Sequence, residues 1–345
     1  MTANVTAEAA RVLAVIPTLD EAGSIETIIR TLAREKDRIP GLEIVVADGG
    51  SRDGTQRIIT NLTAELPYLY LINNTARNQG AAVNLAARFW SGRANLIVRC
   101  DGHSMYQERH IERLIATLSR TGAASVVIAM DSAGVFGFQK AVAWVSDSLV
   151  GSGGSAHRGG RASGYVDHGH HAAFRLPVFL SVDGYDESFT HNEDAELDCR
   201  LTAAGHAIYL DADIRIAYFA RASVAALWRQ YFLYGRGRSR TMRKHPGSMR
   251  LRQLAVLAHG GLFLVSVLLA AGTGELLWLT WPTLYIAALA FTSLELALRK
   301  RSLWGLLTGP AAAIMHTAWA CGTAAGLLFV RERAWEPAPE PLSQN

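Results

Sequence analysis

Cysteine is scarce in this sequence. Only Cys100, Cys199 and Cys321 occur in 345 residues, far apart and without metal-ligand spacing. A disulfide framework is therefore not expected, which fits a reducing compartment. A secretory leader is also missing: "MTANVTAEAARVLAVIP" has neither a charged start nor a long apolar core, so the front of the chain is expected to stay in the cytoplasm. The glycine turn "ADGGSRDGT" is not followed by GK[ST] and has no G-x-G-x-x-G. That excludes a P-loop and the dinucleotide fingerprint. Charge of one sign is not in large excess, with 34 Lys and Arg against 30 Asp and Glu. The surplus sits largely in "RGRSRTMRKHPGSMRLR", Arg236 to Arg252. A basic run beside apolar helices points to anionic lipid and not to nucleic acid. His168, His170 and His171 in "VDHGHHAAFR" have no cysteine or further histidine to close a zinc site, so they read as crevice-lining or structural.

What the chain has is apolar residues, 50% of the total. Mean hydropathy is +0.13, and the excess gathers after about Leu251. Leu254–Ala271 and Leu276–Leu298 each approach the roughly 20 apolar residues that span a bilayer, and Leu303–Val330 is longer. All three are apolar nearly all round, unlike the one-sided stripe of a water-soluble helix. The basic run and Arg299-Lys300-Arg301 both favour the cytoplasmic side, which two crossings satisfy. A third crossing would put Arg331 and Arg333 outside, so Leu303–Val330 is expected to be re-entrant or interfacial, bent at Gly309-Pro310.

The first half alternates short apolar runs with amphipathic ones. "RVLAVIPTL", "LEIVVADGG", "YLYLIN", "NLIVRC" and "ASVVIAM" read as strands. "SIETIIRTLARE", "TQRIITNLTAEL", "GAAVNLAARFW" and "HIERLIATLSRTG" read as the helices between them. This predicts an α/β fold, a mainly parallel sheet flanked by helices. Ligands of such sheets bind at the carboxyl ends of the strands. Asp48, Asp101 and the Pro17–Glu21 turn all fall there and should share one crevice. "GSGGSAHRGGRASG" reads as a flexible glycine-rich stretch.

Each motif alone is weak. Asp48 at a strand end could accept from a base N–H or a ribose hydroxyl, or merely punctuate a turn. Asp101 and His103, two apart in "RCDGHS", suit a divalent ion bridging phosphates, although most Asp-x-His pairs bind nothing. Arg77 and Asn78 precede a helix and could approach a nucleotide, or form an ordinary cap. "FTHNEDAELDCRL" sets Glu193, Asp194, Glu196 and Asp198 at a helix start. Such acids suit a helix N-terminus in any case, and one of them could be a base whose carboxylate backbone N–H groups hold ionised.

The ordered set "VIPTLDEAGSI", "ADGGSRDGT", "RNQGAAVNLA", "RCDGHSMY", "GYDESFTHNEDAELDCRL" and "RQYFLYGR" is more specific than any member. It resembles a family 2 glycosyltransferase with the GT-A fold. Within that family it is similar to the membrane-associated bacterial branch containing the succinoglycan glucosyltransferase. The resemblance covers about Arg11 to Pro246 by motif. It implies an inverting transferase that uses a nucleotide-diphosphate sugar, usually UDP-linked. Asp48 matches the acid that reads the uridine; Pro17, Asp20 and Glu21 match the first nucleotide loop; Arg77 matches the base-side arginine. Asp101 matches the first acid of D-x-D, and His103 stands in place of the second, metal-binding one. Asp194 matches the catalytic base, with Glu193 the runner-up; Glu193, His170 and His171 are placed on the acceptor side. Gln230 and Arg236, placed with the nucleotide-sugar-binding residues, match the Q-x-x-R-W motif of processive members loosely, without its tryptophan, which implies addition of one sugar.

The expectations follow. Residues 1–246 form a GT-A catalytic domain, 247–335 membrane-associated helices and 336–345 a tail. The catalytic domain lies on the cytoplasmic face of the inner membrane. It moves a hexose, glucose by resemblance, from a UDP-sugar to a lipid-linked polyprenyl-diphosphate saccharide in surface-polysaccharide synthesis. The cofactor is a divalent cation, Mg or Mn, and other polysaccharide-assembly proteins are candidate partners. The alternative is a non-catalytic, membrane-bound nucleotide-sugar binder, suggested by His103.

Overall fold

The structure is a computed structural model, which describes residues 9–170 and 173–330. The first elements alternate strictly: β1 (Arg11–Thr18), α1 (Ile25–Ala33), β2 (Gly41–Asp48), α2 (Thr55–Glu65), β3 (Leu69–Asn73), α3 (Gln79–Phe89), β4 (Leu96–Arg99), α4 (His110–Thr121) and β5 (Ser125–Ala133). Then come α5 (Gly137–Ser146), α6 (Leu149–Ser152), β6 (Gly164–Val166), β7 (Ala173–Arg175), α7 (Leu176–Ser181), α8 (Glu193–Ala203), β8 (Ile208–Phe219) and α9 (Val224–Lys244). The chain continues in α10 (Leu251–Thr273), α11 (Thr280–Lys300) and α12 (Thr308–Phe329).

Eight strands form one sheet in the order β3-β2-β1-β4-β7-β5-β8-β6. β1 pairs in parallel with β2 and β4, and β2 with β3. β7 lies antiparallel between β4 and β5, and β6 antiparallel to β8. The expected parallel half is present; the antiparallel strands are additions to it. β1 is buried along nearly its whole length because helices cover both faces. Its register places Thr18 opposite Asp48, and β2 places Asp48 opposite Asn73. Three carboxyl strand ends therefore finish on one line. The core beneath joins Leu13, Val45, Ile97, Phe174, Phe179 and Leu197.

α4 starts without a side chain of its own as cap. Buried Glu35 serves instead, accepting from the backbone N–H groups of Ile111 and Glu112 at 3.1 and 2.9 Å. Burial pushes the Glu35 carboxyl up, against the pull of those N–H groups.

The described chain divides into two compact units: residues 9–130 with 160–217, and residues 131–159 with 218–330. In this division 131–159 and 218–246 group with the apolar helices. The reason is close packing of α9 on α12. A Cβ on Gly235 would lie 2.1 Å from the Trp319 carbonyl, and one on Gly322 2.0 Å from the Phe232 carbonyl. Thr323 Oγ1 donates to the Gly235 carbonyl at 3.2 Å and Arg243 to that of Gly326 at 2.9 Å. Leu251–Thr273, Leu276–Lys300 and Leu303–Phe329 are long and apolar enough to cross a membrane. Gly309 and Pro310 lie in the first turn of α12, where proline is tolerated, and α12 runs on unbroken. The bend expected inside that segment is instead a change from a 3-10 turn at Leu303–Leu307 to α-helix. The 336–345 tail lies outside the described residues.

Candidate active site

Two loops at the strand ends are stitched together. The Asp20 N–H donates to Ser51 Oγ at 2.8 Å, and Arg52 N–H donates back to Asp20 at 2.7 Å. The Glu21 N–H donates to Thr55 Oγ1 and the Ala22 N–H to Asp53, both at 2.9 Å. Asp20 holds a positive φ of 55°, a cost that the bonds on both sides of it offset. Asp48 is buried and accepts from the N–H groups of Gly50 and Ser51, from Ser51 Oγ and from Gln56. Burial pushes its carboxyl up, but these donors outweigh it and hold the group below its ordinary value. Arg77, at φ 53°, brings its Cα to 3.7 Å from where a Gly49 Cβ would stand, beside the Asp48 turn. Asn78 caps α3 and reaches out from it, donating to the carbonyls of Glu187 and Phe189. Pro17 sits on β1 opposite Ala47, one position before the pair Thr18 and Asp48.

The third loop joins through Glu21 and Ser24. Ser24 Oγ donates to the Gly102 carbonyl at 2.6 Å, and Glu21 Oε1 lies 2.9 Å from His103 Nδ1. The Tyr106 hydroxyl accepts the Asp101 N–H at 2.5 Å, fixing the turn that carries Asp101 and His103.

Arg99, the last residue of β4 and 2% exposed, connects this side to α8. Its guanidinium lies 2.9 Å from Asp194, 3.3 Å from Glu193 and 3.6 Å from Asp101, and donates to Gln79 at 2.7 Å. His170 Nδ1 meets the other Asp194 oxygen. The carboxylate of Asp194 is thus held by a guanidinium and an imidazole, where the sequence suggested backbone N–H groups of the helix start. Burial pushes Asp194 up, but Arg99 first and His170 second hold it far below the usual carboxylate range. Glu193 shifts the other way, raised by burial and then by neighbouring Asp194. Asp198 accepts from Gly169 N–H at 3.1 Å and lies 2.8 Å from His168 Nδ1; burial raises it despite those partners.

The loop before α8 is tied to α3. Asn84 donates to the Tyr185 carbonyl at 2.7 Å and accepts the Tyr185 N–H at 2.8 Å. Gly184 holds φ 66° where a Cβ would lie 2.2 Å from Asn84 Oδ1, so no other residue fits. Asn192, at φ 68°, then turns the chain into α8 and delivers Asp194 to Arg99.

Asp20, Glu21, Asp48, Asp101, His103, Glu193, Asp194 and His170 are therefore joined by a continuous set of polar contacts in one unit, with Pro17 and Arg77 at its edge. Gln230 and Arg236 lie on α9 in the other unit, where Gln230 bonds Tyr218 and Tyr234. His171 lies outside the described residues. Sequence reading missed Arg99, Gln79 and Tyr106. The signal for Arg99 was a charged residue ending an otherwise apolar strand.

His170 gives a pH prediction. Burial pulls its imidazolium down, but Asp194 outweighs burial and the group is raised above its ordinary value. The stability this contributes is complete below the unfolded value of about 6.5 and is lost as pH rises through the raised native value. Thermal midpoints should fall more for wild type than for His170→Gln between about pH 6 and pH 9. Parallel curves would show that His170 gains no proton on folding.

A mixed sheet with a parallel half, whose strand ends carry the Asp20, Glu21 and Asp48 carboxylates, an Asp-x-His turn and, through Arg99, a partly buried acid on α8, is the architecture of a GT-A fold. The profile described as "Glycosyl transferase family 2" matches residues 13–180. The chain is 39% identical over 323 residues to the succinoglycan biosynthesis protein ExoA of Rhizobium meliloti (strain 1021), covering 93% of this chain and 96% of that protein. It belongs to glycosyltransferase family 2. An undecaprenyl-phosphate mannosyltransferase of Micrococcus luteus is 29% identical over 107 residues, 30% of this chain and 43% of that one. The same fold occurs in the mannosyltransferase PcManGT of Pyrobaculum calidifontis, solved in complex with GDP-Man and Mn2+. Its TM-score is 0.61 at 18% identity, over 92% of this chain and 87% of that one.

Proposed function

We propose that this family 2 enzyme transfers one hexose, with inversion, from a UDP-sugar to a saccharide on a polyprenyl-diphosphate carrier, in surface-polysaccharide synthesis. The observation that carries this reading is Arg99, whose guanidinium reaches both the partly buried Asp194 carboxylate and Asp101. Inverting transfer by single displacement needs a base on the face opposite the leaving group. Asp194, held ionised, takes the acceptor proton as the new bond forms. Its low basicity is no obstacle at that late point, because the attacking oxygen has by then become strongly acidic. Asp48 and Arg77 take the uridine side, and Asp20 and Glu21 brace the loop between.

A divalent cation fits what is present. Among the described residues no three His, Cys, Asp or Glu side chains form a closed metal cage. Asp101 and His103 form an open pair of donors, the kind that substrate phosphates and water complete for Mg or Mn. Bound there, the ion would supply positive charge to the departing diphosphate. PcManGT is described with Mn2+, and the mannosyltransferase of M. luteus is named for a lipid-linked carrier; both support the reading. The three apolar helices suit an acceptor held in a bilayer, with the catalytic unit on the cytoplasmic face of the inner membrane.

The test is to incubate membranes carrying the protein with a panel of labelled UDP- and GDP-sugars and extracted polyprenyl-diphosphate saccharides, with and without EDTA. A lipid product heavier by one hexose, from a UDP donor and lost on chelation, is expected. Transfer only from GDP-sugars, or only to water-soluble acceptors, would refute the donor or acceptor assignment respectively.

A further inference from the structure

Arg158 is a half-buried cation that no carboxylate bonds. It lies in the glycine-rich stretch after α6. Among the described residues its guanidinium makes no hydrogen bond or ion pair; it lies over the Tyr218 ring, 4.9 Å from the centroid. The nearest acid, Asp147, is already taken: it accepts the Ser132 N–H at 2.9 Å and Ser132 Oγ at 2.6 Å. Gly159, at φ 60°, lets the chain pass against Asp147, where a Cβ would meet the Asp147 Cβ at 3.0 Å. Burial pulls the proton affinity of Arg158 down, but Tyr234, Tyr231 and Tyr218, and then Asp147, outweigh that and raise it. Gln230 donates from its amide to the hydroxyl oxygens of both Tyr218 and Tyr234. The Tyr218 and Tyr234 hydroxyls also bond each other, so the two phenols and Gln230 form one polar cluster beside the guanidinium.

A guanidinium lacking a carboxylate, with phenol hydroxyls around it, is a receptor for an oxyanion. Its place says which one. The segment carrying it docks on the apolar helices of the same unit. Arg252, second residue of the first candidate span, donates to the Gly153 carbonyl at 3.4 Å, and His316 of α12 bonds the Val150 carbonyl at 2.9 Å. Leu149, at the start of α6, is 76% exposed, and Phe136 packs its exposed ring on Trp304, 5.1 Å between centroids. These are the surroundings of a lipid headgroup, with apolar side chains on one side and a lone cation on the other.

We infer that Arg158, with Tyr218, Tyr234 and Gln230, binds the diphosphate of a polyprenyl lipid. This rests on the proposed function for the claim that such a lipid is the acceptor carrier, but the binding can be measured without transfer. Gln230 then belongs to the lipid side, not to the nucleotide-sugar set in which its motif placed it.

The experiment uses the full chain in nanodiscs of uncharged lipid. Probes are undecaprenyl diphosphate, undecaprenol, inorganic pyrophosphate and UDP. Wild type should bind undecaprenyl diphosphate far more tightly than undecaprenol. Arg158→Gln should weaken that binding by about tenfold or more and Arg158→Lys by less, with UDP binding within twofold of wild type. Tyr218→Phe, which keeps the ring and removes the hydroxyl, should weaken it several-fold and guards against a folding defect in the arginine variants. Undecaprenyl diphosphate binding unchanged in both Arg158→Gln and Tyr218→Phe would overturn the proposal. Inorganic pyrophosphate binding as tightly as the lipid, with the same dependence on Arg158, would also overturn it by making the site one for free anions. Absence of UDP binding in wild type would sink the proposed function while leaving the lipid result intact.

Discussion

Asp194→Asn should lower kcat for sugar transfer by about 10²–10⁴-fold, the range a positioned general base supplies. The Kd for UDP should change little, since Asp194 contacts Arg99 and His170 and none of the loops around Asp48. Asparagine keeps the shape and can still accept from Arg99, so the variant should fold with a lower thermal midpoint, and the loss of rate at saturating substrates would be one of proton acceptance. Asp198→Asn is the control on the same helix. Its carboxylate is taken by His168 and the Gly169 N–H, so its replacement should leave kcat nearly unchanged. Single-turnover rates with saturating donor and acceptor measure the effect directly. Near-normal turnover by Asp194→Asn would remove the base assignment, and a full loss in Glu193→Gln instead would transfer it to Glu193.

How far the site was legible depends on the distance over which each residue acts. β1 and β2 were readable because unbroken apolar runs ending in Asp, Gly and Pro have few other solutions, and Asp48 followed from β2. β7 was not, since three residues in an antiparallel insertion carry no period. Asp194 could be singled out as one acid among four by resemblance to a family motif, but its partners could not. Arg99 lies 95 positions earlier and reads locally as the polar end of a strand. The place of α9 was hidden for a different reason. Its charges suggest a surface helix, yet Gly235 and Ser239 form a flat strip against α12 that only the partner helix reveals. Among the glycines after α6, composition does not single out the one needed for a close approach, Gly159 beside Asp147.

Arg99→Gln should be the most damaging single change in the catalytic unit, for stability as well as rate. The guanidinium is 2% exposed and faces Asp194, Glu193 and Asp101. Removing one partner of a buried ion set leaves the other charges uncompensated, a cost of about 3–5 kcal/mol. The pH dependence identifies the cause. In wild type Asp194 is held below its unfolded value, so its contribution is complete above about pH 4 and is lost as pH falls toward its low native value. Without Arg99, burial dominates and the carboxyl moves up, so ionised Asp194 no longer stabilises the fold. The gap between wild type and variant should therefore be widest near neutrality and narrow as pH falls below about 5. Residual transfer by the variant should show an acid limb at higher pH than wild type, because its base now titrates within reach. Arg99→Lys keeps the charge but loses the fork that reaches three acids, and should fall between the two. Denaturation at several pH values, with pH–rate profiles, tests both parts. A gap constant with pH would mean that Arg99 acts by packing, against Tyr185 for example, 5.5 Å from its guanidinium, and not by holding the base ionised.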